Sequence, residues 1–154
     1  MDAGTFTDEW LADRWTFAFI RNPWQRMVSL YHYLFDVLGR HRERYGPLSF
    51  AEFVTKVIKD GADPIGAYNW RGLSQAAQQR FWTNDRGNLL DFVGRWEYLH
   101  RDWRFVCENL GIDAPLPHYG ESKQRPYREY YTVKSRNEVG RYYRADVEMG
   151  DYEF

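Results

Sequence analysis

The chain has 154 residues, 28% charged and 19% aromatic, and its 21 Lys and Arg against 22 Asp and Glu leave a formal net charge of −1. That balance excludes a general attraction to nucleic acid or to an anionic membrane, so any anion site must be local. The length suits one domain with a real core, and no stretch approaches the ~18 apolar residues of a membrane span.

Cys107 is the only cysteine, which excludes a disulfide framework and a cysteine zinc site. It lies in the apolar helical stretch "DWRFVCENLGI" and reads as an inert buried thiol. Lysine occurs only at positions 56, 59, 123 and 134, and the other basic residues are arginines. Arginine suits bidentate capture of phosphate or carboxylate, although a G- and C-rich genome produces the same bias.

The N-terminal "MDAGTFTDEW" is acidic and lacks the basic and apolar parts of a signal peptide, so a soluble, reducing, cytoplasmic setting is expected. "WTFAFI" (15–20) is a short apolar run rich in β-formers and reads as a buried parallel strand. Asn22 can cap the next element, and Pro23 fits its first position, where a missing N–H costs nothing. Trp24, Met27, Val28, Tyr31, Leu34, Phe35 and Leu38 then follow helical spacing up to Gly39.

After the charged turn at 41–47, Ser49 and Glu52 form a capping box for a helix closing at Gly61. Phe50, Phe53, Val54, Val57 and Ile58 make its apolar face. Residues 61–89 read as irregular, with a short helix near 74–81. "LLDFVGRWE" (89–97) is a second strand, and 99–111 an amphipathic helix ending at Gly111. A Pro- and Gly-bearing loop follows at 113–126, then helix in two pieces over 127–148. A right-handed crossover makes the two strands parallel, in an α/β arrangement.

The stretch "FAFIRNPWQRMVSLYHYL" (17–34) carries the chemistry. In parallel sheets ligands bind beyond the carboxyl ends of the strands. Arg21 stands at such an end, where the helix starting at Pro23 would aim free N–H groups and its positive dipole end. Ser29 lies two turns in, sharing a helix face with Arg26. Such a set suits a phosphate monoester. Spacing alone favours a plainer reading, in which Arg21 pairs with a carboxylate and Ser29 is a small packing residue.

That stretch resembles the 3′-phosphate-binding segment of sulfotransferases that use 3′-phosphoadenosine 5′-phosphosulfate (PAPS). The likeness is greatest to the carbohydrate sulfotransferases and their bacterial relatives. It continues in family order through "LLDFVGRWEYLHRDWRFVCENLGI", "LPHYGESKQRPYREYYT" and "VGRYYRADVEMGDYEF". The resemblance implies a mostly helical α/β fold with a small parallel sheet, an incomplete version of the P-loop-NTPase-like sulfotransferase fold. Residues 1–154 would be a single domain, the C-terminal portion of that fold. It implies that Arg21 and Ser29 bind the nucleotide's 3′-phosphate. The family's late loop over the cofactor corresponds to "ESKQRPY", making Ser122, Lys123 and Arg125 further contacts, although a solvated basic turn reads equally well there. Glu97, Tyr131, Tyr143, Asp146, Tyr152 and Phe154 match positions taken as structural; a buried Glu97 would need partners, from Arg95 or a backbone turn.

The family's Gly-rich loop for the 5′-phosphosulfate has no counterpart. "GADPIG" (61–66) has the wrong position, no following Lys-Ser/Thr and a proline. Without the central strand that carries that loop, the strands at 15–20 and 90–94 would have open edges, and self-association through them is expected. The implied function is transfer of a sulfuryl group from PAPS to an acceptor hydroxyl on a carbohydrate, leaving adenosine 3′,5′-bisphosphate (PAP). The alternative is a non-catalytic module that binds such a nucleotide, or only a partner chain. No catalytic residue is assigned: His32 and His41 lie nearest the cofactor face, while His100 and His118 lie elsewhere, and a lone histidine is more often a surface or packing residue. No metal motif is present. "RWEYLHRDWRF" mixes basic and aromatic residues as a nucleic-acid surface does, but Glu97, Asp102 and Glu108 dilute it, and an ordinary amphipathic helix is the better reading.

Overall fold

The computed structural model describes residues 13–37, 47–59, 83–84, 87–88, 90–116 and 125–154. The helix expected near 74–81, and Ser122, Lys123, His41 and His118, lie outside them. In chain order the described elements are β1 (Phe17–Ile20), α1 (Pro23–His32), a π-helical turn (Tyr33–Val37), α2 (Phe50–Lys59), β2 (Thr83–Asn84), β3 (Gly87–Asn88), β4 (Phe92–Arg95), a 3-10 turn (Trp96–Tyr98), α3 (Leu99–Leu110), a second 3-10 turn (Tyr127–Tyr130), α4 (Val133–Tyr142) and α5 (Arg144–Gly150).

β1 and β4 pair in parallel, with Phe17 opposite Phe92 and Ile20 opposite Arg95. Both are shorter than the sequence suggests. The Thr16 N–H and Oγ1 donate to Asp91 Oδ2 at 2.7 and 3.0 Å, and Asp91 N–H donates to the Thr16 carbonyl at 3.0 Å. Side-chain bonds therefore join the backbone ones just before each strand begins. Beyond Arg95 the chain turns into 3-10 helix rather than extending to 97. Two residues of antiparallel pairing, β2 with β3, stand inside the segment read as irregular.

The helices obey the expected signals. Asn22 Oδ1 caps α1 by accepting the Trp24 and Gln25 N–H groups. Regular α-helix stops at His32, and the expected continuation toward Gly39 is a wider π turn. Ser49 and Glu52 form the capping box of α2, with Ser49 N–H and Oγ donating to Glu52 Oε2 at 2.8 and 2.6 Å. α3 ends on Gly111 at φ 64°, a left-handed conformation in which glycine carries no Cβ penalty. The two expected pieces over 127–148 are α4 and α5, broken at Tyr143 and preceded by the 3-10 turn.

One face of the sheet and three helices enclose the core. Ile20 of β1 shares one buried cluster with Trp24, Met27 and Val28 of α1, Phe53, Val54 and Val57 of α2, Val139 of α4, and Tyr143 and Tyr152. Each such side chain contributes about 1.5–3 kcal/mol when fully buried. Polar ends of core aromatics fasten backbone: Trp24 Nε1 donates to the Arg136 carbonyl at 3.0 Å, and the Tyr131 hydroxyl donates to the Trp24 carbonyl at 2.9 Å. α3 covers the other sheet face through a ring cluster of Trp15, Phe17, Phe92, Trp103 and Phe105, with centroids 4.7–6.4 Å apart. Cys107 is buried and free, as expected.

Arg26 enters the core side of α1. Its Nη2 is 3.3 Å from Oδ2 of the fully buried Asp146, and its guanidinium lies 4.6 Å from the Tyr143 ring centroid. Burial pushes the Tyr143 phenol up to about 12 from an ordinary 10.0, against the opposing pull of Arg26. An acid whose pKa is raised by folding adds stability in full below its unfolded pKa and loses it as pH rises through the folded one. Unfolding free energy in urea should therefore fall between pH 10 and 12. The Tyr143→Phe variant should show a shallower fall, and an identical profile would overturn the attribution.

Candidate anion site at the carboxyl end of the strands

Arg21 is the first residue past β1, and the parallel register sets it beside Trp96, the first residue past β4. The half-buried guanidinium lies 5.5 Å from the Trp96 ring centroid, and that ring is 48% exposed. Burial pushes the Arg21 pKa down from its ordinary value, Glu97 opposes this, and Arg26 adds a smaller lowering effect. An anion brought to this position would join Glu97 in favouring the charged guanidinium.

The helix terminus does not contribute as the sequence suggested. Pro23 has no N–H, the Trp24 and Gln25 N–H groups donate to Asn22 Oδ1, and Arg26 N–H donates to the Asn22 carbonyl at 2.9 Å. The cap that starts α1 thus uses the donors an anion would have needed. Only the dipole remains at the tip.

Ser29 lies half-buried on α1, about 10 Å along the axis from Asn22 at 1.5 Å per residue. An anion touching both Arg21 and Ser29 must lie along the flank of α1. Arg26 is turned away toward Asp146 and Tyr143. One turn past Ser29, His32 Nε2 shares a hydrogen bond of 2.8 Å with the Tyr130 hydroxyl. The exposed Arg125 guanidinium lies 4.7 Å from the Tyr130 ring centroid and 4.0 Å from Glu129. Arg125 is therefore linked through Tyr130 to His32, which neighbours Ser29 on the helix surface.

Glu97 was expected to be buried and to pair with Arg95 or a backbone turn. It keeps substantial solvent exposure, and its partners are the Asn22 N–H at Oε1 (2.9 Å) and the Tyr152 hydroxyl at Oε2 (2.9 Å). Arg95 instead lies over the Tyr152 and Tyr98 rings at 4.6 and 5.5 Å, with Arg101 over Tyr98 at 4.3 Å. The basic and aromatic residues of "RWEYLHRDWRF" are thus turned on one another, in keeping with an amphipathic helix. Trp96 was not foreseen, because the second strand was read through it to 97, whereas β4 stops at Arg95.

Two open grooves lie elsewhere. One of about 440 Å³ runs between α2 and α4, lined by Lys56, Lys59 and Lys134 among others, and one of about 530 Å³ lies beside Trp24, Arg136 and Arg141. Neither is lined by Arg21 or Ser29. Among the described residues no group of three or more His, Cys, Asp or Glu could hold a metal ion, and no helix is long and apolar enough to cross a membrane.

A parallel strand pair with an arginine at its carboxyl end, leading into a capped helix that bears a serine, defines an α/β protein with a strand–turn–helix unit where ligands of such sheets bind. The chain belongs to the sulfotransferase family, whose profile matches residues 3–153. No curated protein and no solved structure matches it.

Asn22 joins cap, strand end and tail, since its Nδ2 also donates to the Glu153 carbonyl at 3.3 Å. Asn22→Ala should lower stability by about 1 kcal/mol, measured by urea denaturation, and Asn22→Asp, which keeps the cap acceptor, should recover most of it. Equal stability of the alanine variant and the parent would show that the cap is dispensable.

Proposed function

We propose that this chain binds PAPS and PAP through the 3′-phosphate and serves sulfuryl transfer to an acceptor hydroxyl on a carbohydrate, as a relative of the carbohydrate sulfotransferases. The observation that carries this reading is the half-buried Arg21 at the carboxyl end of a parallel strand, on the same strand–turn–helix unit as Ser29, in a chain of the sulfotransferase family. Burial disfavours the Arg21 charge and Glu97 favours it, so a phosphate would add to the effect of Glu97. These residues fit a phosphate monoester: a guanidinium fork for two oxygens and a hydroxyl for a third.

In this reading Arg21 and Ser29 hold the nucleotide along the flank of α1, and Arg125, Ser122 and Lys123 add contacts to it. PAPS supplies an activated sulfuryl group that an acceptor hydroxyl takes up, releasing PAP. The residues assigned here bind and orient the nucleotide; none is assigned as base. The non-catalytic nucleotide-binding module is distinguished by assaying turnover beside binding.

Calorimetric titration with PAP should show binding that requires the 3′-phosphate. Arg21→Ala should weaken it by about 1.5–3 kcal/mol, as expected for a charged bidentate partner. Equal binding of adenosine 5′-phosphate, or indifference to Arg21→Ala, would overturn the assignment.

The outer edges of β1 and β4 have no strand neighbour among the described residues, and parallel sheets are ordinarily enclosed. We propose self-association through such an edge. Solution scattering should show mass rising with concentration, and a monomer throughout would overturn it.

A further inference from the structure

The peptide groups on both sides of Arg21 are held by the same two side chains. The one proton of the Tyr152 hydroxyl is shared between two acceptors, the Ile20 carbonyl oxygen at 3.1 Å and Glu97 Oε2 at 2.9 Å. Glu97 Oε1 accepts the Asn22 N–H at 2.9 Å. A ring of contacts therefore runs from Ile20 through Arg21 and Asn22 to Glu97 and Tyr152, and closes on Ile20. The Cα of Arg21 lies within that ring, so the direction in which its side chain leaves the backbone is set from outside the strand–turn–helix unit.

The tail that brings Tyr152 is itself braced. Asp151 takes a left-handed conformation at φ 48°, and Tyr152 N–H donates to the Val147 carbonyl at 3.0 Å. Gly150 leaves the space that the returning ring fills, since a Cβ there would come within 2.2 Å of Tyr152 Cε2. The ring is only 6% exposed, with the Arg95 guanidinium 4.6 Å from its centroid. Packing requires only the ring, and phenylalanine would supply that. The hydroxyl is the part that reaches the backbone at Arg21.

We propose that Tyr152 and Glu97 are positioning residues of the anion site: by fixing the backbone on both sides of Arg21, the C-terminal tail governs recognition of the 3′-phosphate. The proposal rests on the reading of Arg21 given above. A purely electrostatic role for Glu97 is a different matter, because a counter-charge would act through charge and not through hydrogen-bond geometry. The two roles separate on substitution: glutamine keeps an oxygen that accepts the Asn22 N–H and loses the charge, while alanine loses both.

The test is calorimetric titration of PAP, with adenosine 5′-phosphate as the probe lacking the 3′-phosphate. Tyr152→Phe, Glu97→Ala and Glu97→Gln are each made in the parent and in the Arg21→Ala background. Tyr152→Phe should weaken PAP about five- to tenfold, leave adenosine 5′-phosphate unchanged, and cost nothing further once Arg21 is alanine. Glu97→Ala should weaken PAP similarly, and Glu97→Gln should restore it. PAP affinity of Tyr152→Phe within twofold of the parent, or a loss that persists without Arg21, would overturn the proposal and leave the Arg21 assignment standing. A parent chain that ignores PAP, or is indifferent to Arg21→Ala, would overturn both. If Tyr152→Phe fails to fold, the Glu97 pair decides, and equal affinities of the alanine and glutamine variants would sink the idea.

Discussion

The parallel register that sets Ile20 opposite Arg95 is the constraint on which the rest depends. Strands that run together end together, so the first residues beyond them, Arg21 and Trp96, emerge side by side. α1 leaves from one strand end and α3 from the other, on opposite faces of the sheet. The ring cluster under α3 and the mixed aliphatic and aromatic core under α1 both follow from that separation. Asp102 of α3 reinforces it by accepting the Arg95 N–H at 2.7 Å, so the strand end is tied to the helix it leads into.

Arginine far outnumbers lysine in this nearly neutral chain, and 19% of its residues are aromatic. Much of that chemistry is internal. Arg95 and Arg101 stack on tyrosines, Arg128 and Arg136 lie over Phe154, and Arg26 meets a buried aspartate. A guanidinium is weakly hydrated and planar, so it can lie on a ring while its edge hydrogen-bonds. Arg21 shares this habit with Trp96, but it does so at a strand mouth beside an exposed ring face. Position, more than residue type, sets it apart.

Local signals were legible wherever the chain could satisfy itself at short range. The Asn22 cap, the Ser49–Glu52 box, the Gly111 stop and the division of the last helix were all readable, because each rests on residues within a few positions of one another. Parallel pairing was also readable, since crossover handedness and buried apolar runs leave little choice. The occupied donors of α1 escaped notice because the signal used to place the helix, an asparagine cap, is what removes them. The turn at Asn22 supplies the backbone partner expected for Glu97, but its second partner, Tyr152, escaped for a different reason. Tyr152 is 55 residues away, and no periodicity reports that a tail will turn back on a strand end. For the candidate site, Arg21, Ser29 and Arg125 came from motif likeness, while Trp96 needed the register of two strands.

These separations bear on the order in which the molecule is assembled. α1, α2, α3 and α4 can begin from local contacts, whereas Thr16 and Asp91 are 75 residues apart and Ile20 and Tyr152 are 132 apart. Closing such long loops carries an entropic cost before any contact rewards it, and non-local pairings slow folding. The hydrogen-bonded shape at Ile20 thus forms only once the tail carrying Tyr152 has docked. An anion that needs this shape has little to hold in a half-folded chain, so it acts on the finished molecule, stabilising it by mass action without guiding the earlier steps.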